Sequence, residues 1–175
     1  GYFEQIAGQT DRMMVLDMGE TSAGRRMKYG VISSAANLAR IDHFKEINRD
    51  LSLARGVGDE DARQLAAEGR TIVWIDGGLH GTEVAPAQLL PQLAYDLVSG
   101  TDRQITTIRD SVITLLVFAN PDGMTIVSDW YMGNVGTPYE VSPIPWLYHK
   151  YVGHDNNRDS YMANLVETQN MNRAH

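Results

Sequence analysis

Apolar and polar positions in this 175-residue chain switch between two periods. Met13-Met14-Val15-Leu16 and Met27 to Ile32 are apolar, strand-like runs. Between them lies GETSAGRR, turn-rich with Gly19 and Gly24, so the pair predicts a hairpin or meander. From Asn37 to Arg55, the residues Leu38, Ile41, Phe44, Ile47, Leu51 and Leu53 recur mostly at helical spacing among charges. That pattern predicts an amphipathic helix, with His43 a solvated or partly buried member of it. Asp59 to Glu68 predicts a short helix ended by Gly69. Thr71-Ile72-Val73-Trp74-Ile75 is β-branched and almost wholly apolar, which predicts a strand covered on both faces. A second such run, Val112 to Phe118, comes after a helical stretch from about Glu83 to Gly100. Strand, helix, strand of this length is what a crossover between parallel strands requires. Pro91 interrupts the helical stretch and predicts a kink or a late helix start.

Beyond Pro121 the chain is rich in Gly, Pro, Asn and Tyr as far as Asp159, which predicts a long loop region over one end of the sheet. Ser160 to His175 is helix-compatible through Met162, Leu165, Val166 and Met171, and it lacks a closing signal. The alternation of element types predicts an α/β fold, and the length predicts one domain over residues 1–175.

Composition narrows the function. The hydrophobic share of 43% and charged share of 21% are those of a globular domain, which sets aside disorder and fibrous repeats. A net charge of −7 argues against a nucleic-acid partner, since binding phosphates takes a basic surface. The absence of cysteine removes thiolate ligands and cysteine nucleophiles, so any metal must be held by His and carboxylate. No run approaches the roughly 18 apolar residues of a membrane span, and GYFEQIAGQTDR lacks the layout of a signal peptide.

His80 and Glu83, in Gly77-Gly78-Leu79-His80-Gly81-Thr82-Glu83, fall directly after a predicted strand and at the mouth of the next helix. Ligands of open α/β sheets bind at that end. A His and a Glu three residues apart can turn to one side and offer a nitrogen and a carboxylate oxygen to zinc. The same spacing also suits a plain helix start, with Glu83 at the positive end of the dipole. Asn120-Pro121-Asp122-Gly123 reads as a strand-ending turn that packs the site without touching a substrate. In Asp155-Asn156-Asn157-Arg158-Asp159, the guanidinium can grip a carboxylate through two parallel hydrogen bonds, or serve a surface ion pair.

The order GxxHxxE, NPDG, DxNR resembles the zinc carboxypeptidase family, and GETSAGRRM resembles that family's segment before its second strand, with Ala23 where an acid is usual. The resemblance runs from about Phe3 to the end. It implies a mixed, largely parallel sheet flanked by helices, with zinc held by His80 and Glu83 and the substrate's terminal carboxylate held by Asn157 and Arg158. It implies hydrolysis of a peptide or amide bond beside a free carboxylate. The family's third zinc ligand and its general base match nothing through residue 175, so the domain is expected to be incomplete at its C-terminal side. His175 does not match the third ligand, and His149 and His154, loop residues before the Asn157-Arg158 pair, could be recruited in principle but are not expected to be the native one. Thr82 stands where many carboxypeptidases have Arg, and no Arg lies between Asp110 and Asn157 to polarise the scissile carbonyl. HGTE is also similar to the deacylase branch, so peptides and acylated amino acids with a free carboxylate both remain as substrates, and a non-catalytic carboxylate-binding module remains as an alternative. A secreted or periplasmic location is implied by the family alone.

Overall fold

The computed structural model describes residues 1–147, 149 and 156–175. In chain order the elements are α1 (Tyr2–Ala7), β1 (Met13–Glu20), β2 (Arg26–Ile32), α2 (Ala35–Leu38), α3 (Ile41–Leu53), α4 (Asp59–Glu68), β3 (Thr71–Gly77), α5 (Val84–Ser99), α6 (Arg103–Ser111), β4 (Val112–Phe118), α7 (Pro121–Asn134), α8 (Asn156–Asp159) and α9 (Val166–Ala174).

The strands form one sheet in the order β1-β2-β4-β3. β1 and β2 are the antiparallel hairpin expected around GETSAGRR, with a register shift between Asp17 and Gly19. β2 also pairs antiparallel with β4, and only β3 and β4 run parallel. The sheet is therefore mixed, but the expectation of a largely parallel one is corrected for these strands. A short hairpin can only be antiparallel, whereas the β3-to-β4 connection through α5 and α6 is long enough for a parallel return.

Alternation along the strands divides the core in two. Met27, Tyr29, Val31, Ile113, Leu115 and Val117 face α3 and α9 and meet Phe44, Ile47 and Met171. Met13, Ile32 and Leu116 face the other way and meet Phe3 of α1 and Leu90, Ala94, Leu97 and Val98 of α5. Helices thus cover both faces of the sheet, and β4, buried along nearly its whole length, lies at its centre. β3 departs from expectation. Its apolar run predicts cover on both faces, and among the described residues it is the end strand of the sheet, with Ile72 39% exposed. A continuous apolar run does not by itself distinguish a central strand from an edge strand.

Three helices also differ from the pattern. The single helix expected from Asn37 to Arg55 is split into α2 and α3. Buried Asn37 sends its amide to the carbonyls of Arg109 and Asp110, which fixes α2 apart from α3. α5 begins at Val84 and continues through Pro91, so the late start is excluded. The region after Pro121 is a loop only in part: α7 occupies its first 14 residues, whereas residues 135–147 carry neither helix nor strand. The NPDG turn is in fact a helix start, in which the Asn120 side chain accepts from Gly123 N at 2.9 Å and Pro121 stands in the first turn, where its missing N–H costs nothing. Downstream, Trp130 donates to Ser142 O at 3.2 Å and meets Trp146 edge-on, which folds residues 135–147 back on α7. The tail helix is shorter than expected, starting only at Val166. His43, as expected, is a partly exposed helix residue, and it meets Glu68 at 2.8 Å.

The C-terminal end of α5 is held by charge. Buried Arg109 donates to the carbonyls of Leu97, Val98 and Gly100 at 2.8, 3.1 and 2.7 Å. A cation beside carbonyls that a helix end leaves without partners is favourable both as donor and against the dipole. Arg109→Ala is expected to lower stability by about 2 kcal/mol, since the carbonyls of Leu97 and Gly100 lose a charged donor while Val98 O keeps Arg12 Nη1 at 3.1 Å. Urea unfolding reads this as a lower midpoint, and a midpoint equal to the parent's would show that the caps add nothing.

Candidate metal centre

β3 and β4 end together, with Gly77 opposite Phe118. The next peptide continues the join, since Ala119 N donates to Gly77 O at 3.0 Å. From there the chain turns at Gly78, whose φ of +72° is a left-handed conformation that glycine adopts without a Cβ clash. A tight turn comes next, closed by Glu83 N donating to His80 O at 3.0 Å, and α5 starts at the residue after Glu83. This local path places the His80 and Glu83 side chains on one side. His80 Nδ1 lies 3.0 Å from Glu83 Oε2. Their side chains are 24% and 62% exposed, so the pair faces outward at the C-terminal ends of the strands, while His80 Nε2 is buried.

A zinc ion with nitrogen and oxygen ligands at about 2.0–2.2 Å and tetrahedral angles separates them by roughly 3.4 Å. The observed pair is slightly closer, and a small rotation of exposed Glu83 would open it. The donor set therefore fits two positions of a zinc site. Among the described residues no third His, Asp or Glu joins them. His149 is buried, His175 stacks at 5.6 Å from Trp74, and His154 lies outside the described residues, as does Asp155.

The start of α7 is built against this turn. Asn120 Nδ2 donates to Leu79 O at 3.4 Å. Gly81 packs directly on Gly123, such that a Cβ on Gly81 would lie 2.6 Å from the Gly123 carbonyl carbon. Asp122, 5% exposed, accepts at one oxygen from Thr21 Oγ1 and Arg25 Nη1 and at the other from Ala23 N. The TSAGR turn of the first hairpin is thereby locked to the turn that carries His80. Since Arg25 is itself 41% exposed, the backbone and hydroxyl contacts, not the ion pair, carry most of that lock. NPDG therefore packs against the turn that carries His80, but as a helix start and not as a free turn.

α8 lies at the same end of the sheet. Asn156, 1% exposed, donates to Ala119 O at 3.4 Å, next to the strand ends. Asn157 and Arg158 are exposed, and Arg158 Nη1 donates to Asn157 Oδ1 at 2.9 Å. The four candidate residues thus form two pairs, one after β3 and one on α8, tied through Ala119 and Asn156. Sequence reasoning places Asn120 and Asp122 in a turn that packs the site, but misses the buried Asn156 and Asp159 as contributors to it. Their signal is the polar residue on either side of the Asn157-Arg158 pair.

A cavity of ≈1120 Å³ opens among α1, α5 and α7 and reaches Gly81 and Thr82, but the side chains of His80, Glu83 and Arg158 do not line it. It is separate from the exposed pair.

A model of the zinc carboxypeptidase family matches residues 2–174. The chain belongs to the zinc carboxypeptidase family. Solved structures similar to this family member include the carboxypeptidase A from Helicoverpa armigera, with 20% identity and a TM-score of 0.47, covering 73% of this chain and 24% of that one. A metallo-carboxypeptidase from Burkholderia cenocepacia has 18% identity and a TM-score of 0.46, covering 81% of this chain and 33% of that one. The chain thus spans about a quarter to a third of the length of these carboxypeptidases. No curated protein matches the chain. Among the described residues no helix is long and apolar enough to cross a membrane.

The close approach of Gly81 to Gly123 gives a direct test of how this zinc carboxypeptidase relative builds its turn. Gly81→Ala is expected to destabilise the protein by about 1–3 kcal/mol, because the new methyl meets backbone and not a movable side chain. A melting temperature within error of the parent's would show that the turn has room.

Proposed function

We propose that this chain is part of a zinc-dependent hydrolase that cleaves a peptide or amide bond next to a free C-terminal carboxylate. The observation that carries the proposal is the His80–Glu83 pair, 3.0 Å apart at the end of β3, in a chain of the zinc carboxypeptidase family. His80 and Glu83 would hold zinc, with the third ligand and the general base supplied by further residues of a longer protein. When bound, zinc supplies Lewis acidity that polarises a carbonyl and makes water a nucleophile near neutral pH.

The chain's own residues orient the substrate. Arg158 is always cationic and presents a planar set of donors, so it can take both oxygens of a terminal carboxylate while Asn157 adds a neutral donor. Binding through the terminal carboxylate fixes which amide reaches the metal, which is how a hydrolase of this type selects chain ends over interior bonds. In the free protein Asn157 Oδ1 accepts from Arg158 Nη1 at 2.9 Å, so the two side chains lie together.

A second reading is a deacylase acting on N-acyl amino acids, which presents the same amide beside a carboxylate. Thr82, uncharged and exposed between the two ligands, favours it over a peptidase that would use Arg there. The two differ in what is attached to the acyl side, so comparing an N-acyl amino acid with an N-acyl dipeptide as substrates of the full-length protein separates them.

Two variants of the full-length protein test the roles. Glu83→Gln is expected to cut zinc content and activity while leaving the melting temperature of the metal-free protein unchanged, because Glu83 is exposed. Retention of one zinc per chain by that variant would remove Glu83 from the ligand set. Arg158→Ala is expected to raise KM for free-carboxylate substrates by roughly 10–100-fold through loss of a charged, two-point contact. Equal loss with a substrate whose carboxylate is blocked as an amide would assign Arg158 another role, and zinc-free, inactive full-length protein would favour a non-catalytic carboxylate-binding module.

A further inference from the structure

Asn157 and Arg158 are exposed, but the residues on either side of them are among the most buried polar groups in the protein. Asn156 is 1% exposed and Asp159 is fully buried. Asn156 Nδ2 donates to Ala119 O at 3.4 Å, at the end of β4 beside the turn that carries His80. Asp159 accepts through Oδ1 from Asn164 N at 2.9 Å and through Oδ2 from Leu165 N at 2.7 Å. Its own carbonyl accepts from Met162 N and Ala163 N, and Ala163 takes a left-handed φ of +51° to close the loop. One residue, through its carboxylate and its carbonyl, thus gathers the connection from α8 to α9.

A helix of four residues has almost no hydrogen bonds of its own and does not hold an orientation by itself. The contacts that fix Asn157 and Arg158 must reach beyond the helix, and its two buried end residues, Asn156 and Asp159, make them. We propose that Asp159, with Asn156, is a positioning residue for carboxylate recognition: the two anchors set the direction in which Arg158 presents its guanidinium relative to the His80–Glu83 pair. This rests on the reading of Arg158 as the carboxylate-binding group. Neither Asp159 nor Asn156 touches the substrate. Each acts through the exposed pair between them.

The chemistry of Asp159 makes the substitution sharp. Both of its oxygens receive backbone N–H donors, so Asp159→Asn, equal in shape, turns an N–H₂ donor toward one of them. The loop after Arg158 must then shift.

The test uses the full-length, zinc-loaded protein with N-acyl dipeptides ending in a free carboxylate and with their C-terminal amides. For Asp159→Asn, KM for the free-carboxylate substrate is expected to rise roughly tenfold, with kcat and the KM for the amide each changed by less than about twofold. Zinc content should stay at the parent's value. If Asp159→Asn does not fold, Asn156→Ala removes the opposite anchor and carries the same expectation. Arg158→Ala is measured beside them. If Arg158→Ala raises KM for the acid only, and the anchor variants leave it unchanged or raise KM for acid and amide alike, the positioning role is overturned and carboxylate recognition stands. If Arg158→Ala itself leaves KM unchanged, or the parent does not distinguish acid from amide, carboxylate recognition falls and the positioning role falls with it.

Discussion

The parallel pairing of β3 with β4 is the constraint on which the rest of the site depends. Because Gly77 stands opposite Phe118, the two strands release their chains at the same level of the sheet. The turn bearing His80 and the start of α7 then have to share one small volume. They do so through backbone contact: Ala119 N on Gly77 O, Asn120 Nδ2 on Leu79 O, and Gly81 against Gly123. A shift of one residue in this register would turn every side chain of β3 to the other face and separate these contacts together. α8 joins the same point through Asn156 and Ala119 O. Three segments far apart in sequence meet there, and the two exposed pairs are carried by it.

Such a meeting place concentrates polar backbone at the end of a hydrophobic core, where leaving groups without partners costs roughly 1–3 kcal/mol each. Buried side chains answer that cost. Asp122 takes the hydroxyl and amide of the TSAGR turn, Glu167 accepts from Ser22 N at 2.7 Å, and Asn170 donates to Glu20 O at 2.8 Å. Thus α7 and α9 both grip the first hairpin through polar residues, while Met171 and Ala174 of α9 meet the apolar core beneath. The hairpin, distant in sequence from either exposed pair, contributes to the site by holding the helix that abuts it.

The elements that depend on apolar periodicity are legible in the sequence. β1, β2, β3, β4, α4 and α5 come from runs and spacings that local residues decide, and the mixed α/β class comes from their order. Periodicity does not contain neighbourhood. The run Ile72-Val73-Trp74-Ile75 looks the same at an end as at a centre, and among the described residues it is the end strand. The break between α2 and α3 comes from Asn37 reaching carbonyls at residues 109 and 110, a tertiary contact that no local pattern carries. α7 is legible in principle: Asn120 before Pro121 is a cap with a first-turn proline after it. The weight of Gly, Pro and Asn downstream masks that signal as loop. For the site, spacing leads to His80, Glu83, Asn157 and Arg158, whereas the buried residues that hold them show only as polar letters beside the motifs.

That last contrast has a physical basis. A group that must meet a ligand has to stay accessible, and an accessible side chain on a short turn or a four-residue helix has little packing to fix its direction. Orientation must then be imposed through the backbone by an adjacent residue that is buried and hydrogen-bonded. Both halves of the site show this division: Gly81, buried against Gly123, stands between His80 and Glu83, and Asn156 and Asp159 flank Asn157 and Arg158. The buried residue is constrained on every side and tolerates little change in shape, while the exposed neighbour is constrained only by what it binds. A motif at the end of a sheet in which buried residues flank or divide accessible polar ones therefore carries two kinds of information. The exposed positions state the chemistry, and the buried ones determine whether it is aimed.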